Sequence, residues 1–249
     1  MSDNIAVNLQ NGVLSLRLDR PAKKNALNGA AYGALSDQLL RAGEDREVRA
    51  VLISAEGPDF CAGNDIMEFP AMAAHKGAPE DMPVFRFLKA LTFFAKPLVA
   101  AVQGQAVGIG TTMLLHCDQV WLGPDARLSL PFVRLGLVPE AGSSLLLRQR
   151  IGHVRAFDWL TSGRVIDAET ALGWGLANGI CDGETLGDKA QAAADRLTQL
   201  SPQAVVHTKA LMRNPDQVWQ HILREGAIFR QQLASPEAQA AFAAFASRG

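Results

Sequence analysis

Apolar and polar positions alternate over Val13–Leu18, a period of two that predicts a strand with one buried face. The stretch 29–42 is rich in Ala and Leu at helical spacing and predicts a helix, and 49–55 predicts a second strand that runs straight into a glycine turn. From 66 to about 95 the pattern is mixed. Gly77-Ala78-Pro79 interrupts it, which predicts a broken helical stretch with a mobile middle and a candidate wall for a pocket. Leu98–Val102 is apolar throughout, as a strand covered on both faces requires, and Lys96-Pro97 opens it. A second glycine turn follows, then a short buried helix over 111–116 and strands over 118–122 and 127–130, separated by Gly123-Pro124-Asp125. Beyond Gly142 the pattern is helical over 144–151, 154–162, 168–174, 186–200 and 204–212. A last helix over 237–246 starts behind Ser235-Pro236, a cap followed by proline at the first helical position.

Strands first and helices afterwards predict an α/β chain, with a core over 1–195 and a C-terminal helical region over 196–249. The last helix places Ala238, Ala241, Phe242 and Phe245 on one face, which suits packing on a neighbouring subunit or on its own. With 249 residues and 48% hydrophobic content the chain can bury a large core. Lys+Arg 24 against Asp+Glu 25 gives a net charge of −1 without a long run of either sign, so nucleic acid and anionic membrane are disfavoured as partners. Cys61, Cys117 and Cys181 form neither a CxxC nor a metal-like set, and His75, His116, His153, His207 and His221 lack ligand spacing. The expectation is a reduced, cytoplasmic protein with no metal and no cofactor. The start, Met1-Ser2-Asp3-Asn4, resembles no leader, no apolar run approaches a membrane span, and Ser247-Arg248-Gly249 is not the peroxisomal tripeptide.

The chemistry lies in two glycine-punctuated turns, Phe60-Cys61-Ala62-Gly63-Asn64-Asp65 and Ala106-Val107-Gly108-Ile109-Gly110-Thr111. Each follows a short apolar run, and glycine there lets the backbone turn sharply and present bare N–H groups. Side by side, two such turns make a pair of donors for a carbonyl oxygen that acquires charge. With Arg20-Pro21-Ala22-Lys23-Lys24-Asn25-Ala26-Leu27, Leu135-Gly136-Leu137-Val138-Pro139-Glu140-Ala141-Gly142, Thr161-Ser162-Gly163-Arg164 and Trp174-Gly175-Leu176, they stand in one family's order and spacing. The chain resembles the crotonase superfamily, also called the enoyl-CoA hydratase/isomerase family.

The resemblance implies a spiral of strand-strand-helix units, a homotrimer or dimer of trimers built partly by C-terminal helices, and an acyl-CoA thioester as substrate. It also implies that the N–H groups of Asn64 and Ile109 hold the thioester oxygen as an enolate forms, aided by the dipole of a helix beginning near Thr111. Typical hydratases of the family carry two glutamates where this chain has Thr112 and Phe132, and an alcohol with a phenyl ring can neither activate water nor protonate carbon. Glu140 stands where similar peroxisomal-type Δ3,Δ2-enoyl-CoA isomerases carry their base, and those isomerases resemble this chain in Gly63-Asn64-Asp65 and Lys23-Lys24-Asn25-Ala26 as well. One carboxylate suffices to take a proton from C2 and return it to C4. Phe132, Leu137 and Ile66 are candidate apolar walls that would raise its pKa, and the Asn64 side chain is a candidate donor near it. The segment Ala62, Gly63, Asn64, Asp65 and Ile66, together with Gly108, is expected to run along the substrate, with Lys23, Lys24 and Arg248 near the CoA phosphates. The rival readings are a hydratase or another crotonase-type enzyme, a dehalogenase using Glu140 as nucleophile with His75, and a non-catalytic acyl-CoA-binding protein.

Overall fold

A computed structural model describes residues 4–75 and 77–246. Strands β1 (Ile5–Gln10) and β2 (Val13–Leu18) form an antiparallel hairpin through Asn11 and Gly12, both at positive φ. Helix α1 (Gly29–Glu44) starts at Asn28, whose side chain accepts from the Ala31 N–H, and its apolar stripe Ala31, Tyr32, Leu35, Leu39 and Ala42 is buried. Strand β3 (Ala50–Ala55) leads to the first glycine turn, and the broken stretch resolves into short helices α2 (Phe69–Ala74) and α3 (Pro83–Phe93), both with proline in the first turn. Strands β4 (Leu98–Val102) and β5 (Gln105–Val107) then lead to α4 (Ile109–Thr112), which begins two residues earlier than its sequence pattern predicts. Ile109 itself therefore occupies the first helical position.

Strands β6 (Gln119–Leu122) and β7 (Arg127–Ser129) precede helices α5 (Ser143–Ile151) and α6 (His153–Ser162). Short strand β8 (Ile166–Asp167), helix α7 (Ala168–Gly173) and strand β9 (Gly179–Ile180) come next. The remainder is α8 (Leu186–Thr198), α9 (Pro202–Met212), α10 (Pro215–Leu233) and α11 (Pro236–Ala246). Helix α10, at 19 residues, lies outside every predicted helix. On α11, Ala238 is fully buried in its own subunit and Phe242 packs against Phe69, while Arg248 and the Phe245 side chain lie outside the described residues.

The strands build two sheets, a larger one in the order β1-β2-β3-β4-β6-β9 and a smaller one in the order β5-β7-β8. All pairings of the larger sheet beyond the first hairpin are parallel. Its central strands alternate between two apolar clusters: Leu16, Val51, Ile53, Leu98 and Ala100 face the main core, while Val13, Ala50, Leu52, Val99 and Ala101 face Leu186, Ala190 and Ala194 of α8. Burial on both faces explains the unbroken apolar run of β4. Among the described residues no helix is long and apolar enough to cross a membrane.

Candidate active site

The two glycine turns meet as their sequence pattern predicts. Cys61 and Ala106 form a parallel bridge in which Cys61 N donates to Gln105 O and Val107 N to Cys61 O, both at 2.9 Å. The contact is closest at Gly110, where a Cβ would stand 2.5 Å from Cys61 O, and at Gly63 (φ +102), where one would stand 3.1 Å from Val107 O. Only glycine lets these two backbones pack so tightly. On the other side, Leu27 N donates to Gly63 O and Asp65 N to Leu27 O, which turns the Asn64 N–H away from the bridge. Among the described residues neither the Asn64 nor the Ile109 N–H has an acceptor within the protein. Two unengaged donors on adjoining turns are poised for an oxygen supplied from outside.

Glu140 is buried, with 8% exposure, between Pro139 and a turn in which Ala141 (φ +58) and Gly142 (φ +73) both take left-handed conformations. Its Oε1 accepts the hydroxyl proton of Thr112 at 2.5 Å. Burial pushes its carboxyl up to about 8, against a pull downward from Thr112 and a smaller push upward from the Glu225 charge. The Asn64 side chain is held by Tyr32, a buried residue whose hydroxyl donates to Asn64 Oδ1 at 2.5 Å and leaves the amide N–H groups for other acceptors. Burial raises the Tyr32 phenol well above its ordinary range, so it stays a neutral donor.

Asn64 and Glu140 line the same partly enclosed pocket, a cavity of about 40 Å³. Its other walls are apolar side chains of α2 (Met72), α3 (Val84, Phe85, Leu88) and α10 (Phe229, Leu233), with Arg230 adding a cation. Ile66, Phe132 and Leu137, the walls expected for Glu140, are not in this lining; Phe132 and Leu137 are buried in the core instead, Phe132 beside Gly108. Glu140 is the one carboxylate among the lining residues.

The remaining predicted residues, Ile109, Ala62, Gly63, Asp65, Gly108, Lys23 and Lys24, are not in the lining of this pocket. Lys23 and Lys24 are exposed, and Lys24 packs along the first turn, with Ala62 N donating to Lys24 O and Lys24 Nζ 3.7 Å from Asp59. Asp65 is engaged within the protein, 3.6 Å from the Arg20 guanidinium and capping Met67 N. Asn25, inside the Lys-Lys-Asn-Ala stretch, is 1% exposed and holds this loop by donating to Glu56 O and Asp59 O. Gly108 (φ +54) donates to Ser129 O and ties the second turn to β7. His75 ends α2 and is absent from the pocket lining. Tyr32, Thr112 as a partner of Glu140, and the wall built by α10 are the participants absent from the sequence expectations.

Residues 8–248 match the family described as enoyl-CoA hydratase/isomerase. A 1,2-epoxyphenylacetyl-CoA isomerase of Escherichia coli (strain K12) is 32% identical over 201 residues, which covers 79% of this chain and 77% of the relative. The solved structure of OdaA from Pseudomonas aeruginosa superposes with a TM-score of 0.93 at 48% identity, covering 98% of this chain and 99% of that one. An enoyl-CoA hydratase/isomerase from Pseudoalteromonas atlantica T6c superposes with a TM-score of 0.92 at 42% identity, covering 98% and 97%.

Proposed function

This chain belongs to the enoyl-CoA hydratase/isomerase family, and from that premise we propose that it is an isomerase that moves a double bond of an enoyl-CoA from C3 to C2. The observation that carries the reading is the lone carboxylate: Glu140 alone supplies an acid or base to the pocket lining. The two positions at which the hydratase pattern holds glutamates are occupied by Thr112, which donates to Glu140, and by the core side chain Phe132. Ionised Glu140 takes the proton from C2, and the electrons of that C–H bond spread through C1–C4 as a dienolate. The charge that develops on the thioester oxygen is met by the Asn64 and Ile109 N–H groups, which need no reorganisation to receive it. Glu140 then returns the same proton to C4, leaving the double bond between C2 and C3. Nothing is added or removed.

The apolar walls from α2, α3 and α10 suit an acyl chain, and the exposed Lys23 and Lys24 suit the CoA phosphates. We place the enzyme in fatty acid metabolism in the cytoplasm, as a homotrimer or dimer of trimers. The test is a side-by-side rate on 3-enoyl-CoA and 2-enoyl-CoA over several chain lengths, followed by ultraviolet absorbance and product mass. Isomerisation leaves the mass unchanged and hydration adds one water. A hydration rate equal to or above the isomerisation rate would make Glu140 a hydratase base, and no turnover of either substrate would favour a binding protein.

A further inference from the structure

Glu225 is 6% exposed on α10, and its carboxylate accepts three hydrogen bonds from the turn that follows Glu140. Gly142 N donates to Oε2 at 2.6 Å, and Ser144 N and Ser144 Oγ donate to Oε1 at 3.0 and 2.6 Å. His221 Nε2 donates to Ser144 Oγ at 2.8 Å and stands 3.6 Å from the same carboxylate. No Lys or Arg pairs with Glu225 among the described residues. A buried carboxylate without a cationic partner is expensive to maintain. This one is satisfied by two backbone N–H groups and one hydroxyl of a single turn.

That turn needs holding. Ala141 has a Cβ and nevertheless takes φ +58, a conformation that persists only where its surroundings over-determine it. One grip comes from within the core, where His116 Nε2 donates to Ala141 O at 2.8 Å, with the His116 ring kept neutral by burial and by Arg213. The other grip is Glu225, 83 residues further along the chain from Gly142. Glu225 also adjoins Gly226, and the next turn of the same helix supplies the pocket residues Phe229 and Arg230. One helix thus fixes both a wall of the pocket and the backbone that carries the base.

We propose that Glu225 is a positioning residue that, through Gly142 and Ser144, holds the turn after Glu140 so that the Glu140 carboxylate stays aimed into the pocket against Thr112. The inference rests on Glu140 as the base. A residue that merely caps α5 would contribute stability alone, whereas a positioning residue governs the behaviour of the group it aims.

The experiment uses Glu225→Gln, which keeps the volume but turns an amide N–H₂ toward at least one of the turn's donors. We expect kcat to fall about 10- to 100-fold with KM within about threefold, the pattern of an interaction used mainly in the transition state. The midpoint of the rise of kcat/KM with pH should move down, because a loosened turn admits water to Glu140 and the nearby charge is gone. The groups facing the Glu140 carboxylate are Thr112, Glu225, the Tyr32 phenol, the Cys61 thiol and, in the same pocket lining, Arg230; those facing Glu225 are Gly142, Ser144 and His221. In a Glu140→Gln background the second substitution should cause no further loss, since it acts through a group already removed. A folded Glu225→Gln enzyme with unchanged kcat and midpoint overturns the proposal, as does an additive loss in the double variant. Should Glu225→Gln fail to fold, Ser144→Ala removes one of the three bonds and must show a smaller shift of the midpoint in the same direction; an unchanged midpoint overturns the proposal equally. If Glu140→Gln alone keeps its turnover, the base assignment has failed instead, and the two failures are told apart.

Discussion

Replacing Thr112 by Val should displace the pH profile of the enzyme toward alkaline pH. The Thr112 hydroxyl donates to Glu140 Oε1 at 2.5 Å in a place where Thr112 has no exposure, so water cannot substitute for it. A hydrogen bond from a neutral donor to a buried carboxylate stabilises the ionised form by roughly 1.5–3 kcal/mol. At 1.36 kcal/mol per pKa unit, its loss corresponds to about one to two units. Glu140 is already pushed up to about 8 by burial, with Thr112 pulling against that push. Without Thr112 the base should ionise only above about 9. At neutral pH the ionised fraction, and with it kcat/KM, should fall about 10- to 100-fold, while the rate at strongly alkaline pH should return to within a few-fold of wild type. The assay is the initial rate of conjugation of 3-enoyl-CoA across pH, with folding checked at each point. Thr112→Ser keeps the hydroxyl and should leave the midpoint near its original place. A midpoint that moved down in Thr112→Val would refute the reasoning, because it would mean that the bond favours the protonated acid.

Glu140→Gln should lower isomerisation by about 10²–10⁴, the usual worth of a positioned acid or base. The same substitution should raise stability at alkaline pH. The folded-state pKa lies near 8, above the ordinary 4.5, so the folded chain keeps a proton that the unfolded chain releases, and stability falls as pH rises through that window. The advantage of Glu140→Gln should therefore be absent near pH 4 and reach a few kcal/mol by about pH 8, read as a widening gap in Tm; a constant gap contradicts it. Ile109→Ala should keep measurable activity and Ile109→Pro, which lacks the N–H, should have none; equal losses in folded protein would mean that packing is the role of the turn. Gly110→Ala puts a Cβ 2.5 Å from Cys61 O and should drive the two turns apart, with a loss of about 1–3 kcal/mol in stability and a fall in kcat; unchanged kinetics would show that the turns tolerate separation. Cys61 is fully buried with its thiol pushed up to about 12, so alkylation of the native protein should begin at the half-buried Cys181; rapid labelling at Cys61, located by peptide mapping, would contradict the packing of the turn.

What could be read from the sequence was what is written locally. The glycine turns and the run Leu98–Val102 each depend on neighbours within a few residues, and each stands in the fold where its pattern predicts. Strand β1 escapes because it lies at the edge of the sheet, where Val7 and Leu9 remain 45% and 39% exposed and the alternation marks no buried face. Helix α10 did carry a signal: Asn214 caps it, Pro215 opens it, and Val218, Trp219, Ile222, Phe229 and Leu233 are buried along it, though Gln, Arg and Glu between them dilute the stripe. The partners of the site are another matter. Tyr32 meets Asn64, Thr112 meets Glu140 and Glu225 meets Gly142 across separations of 32, 28 and 83 residues, and such pairings are settled by topology rather than by any period.

The dependence of the Glu140 turn on α10 gives this protein an order of completion. During synthesis the two glycine turns and Glu140 emerge long before the helix that grips the turn and walls the pocket, 83 residues separating Gly142 from Glu225. Contacts so distant in sequence close late, after the local elements have formed. A chain still leaving the ribosome, or one cut between α9 and α10, would thus display donors and a carboxylate to bulk water without the enclosure that raises the Glu140 carboxyl toward neutral pH. Competence should arrive in a single step as α10 docks, and partial chains should be inert toward enolisable thioesters rather than weakly and indiscriminately active.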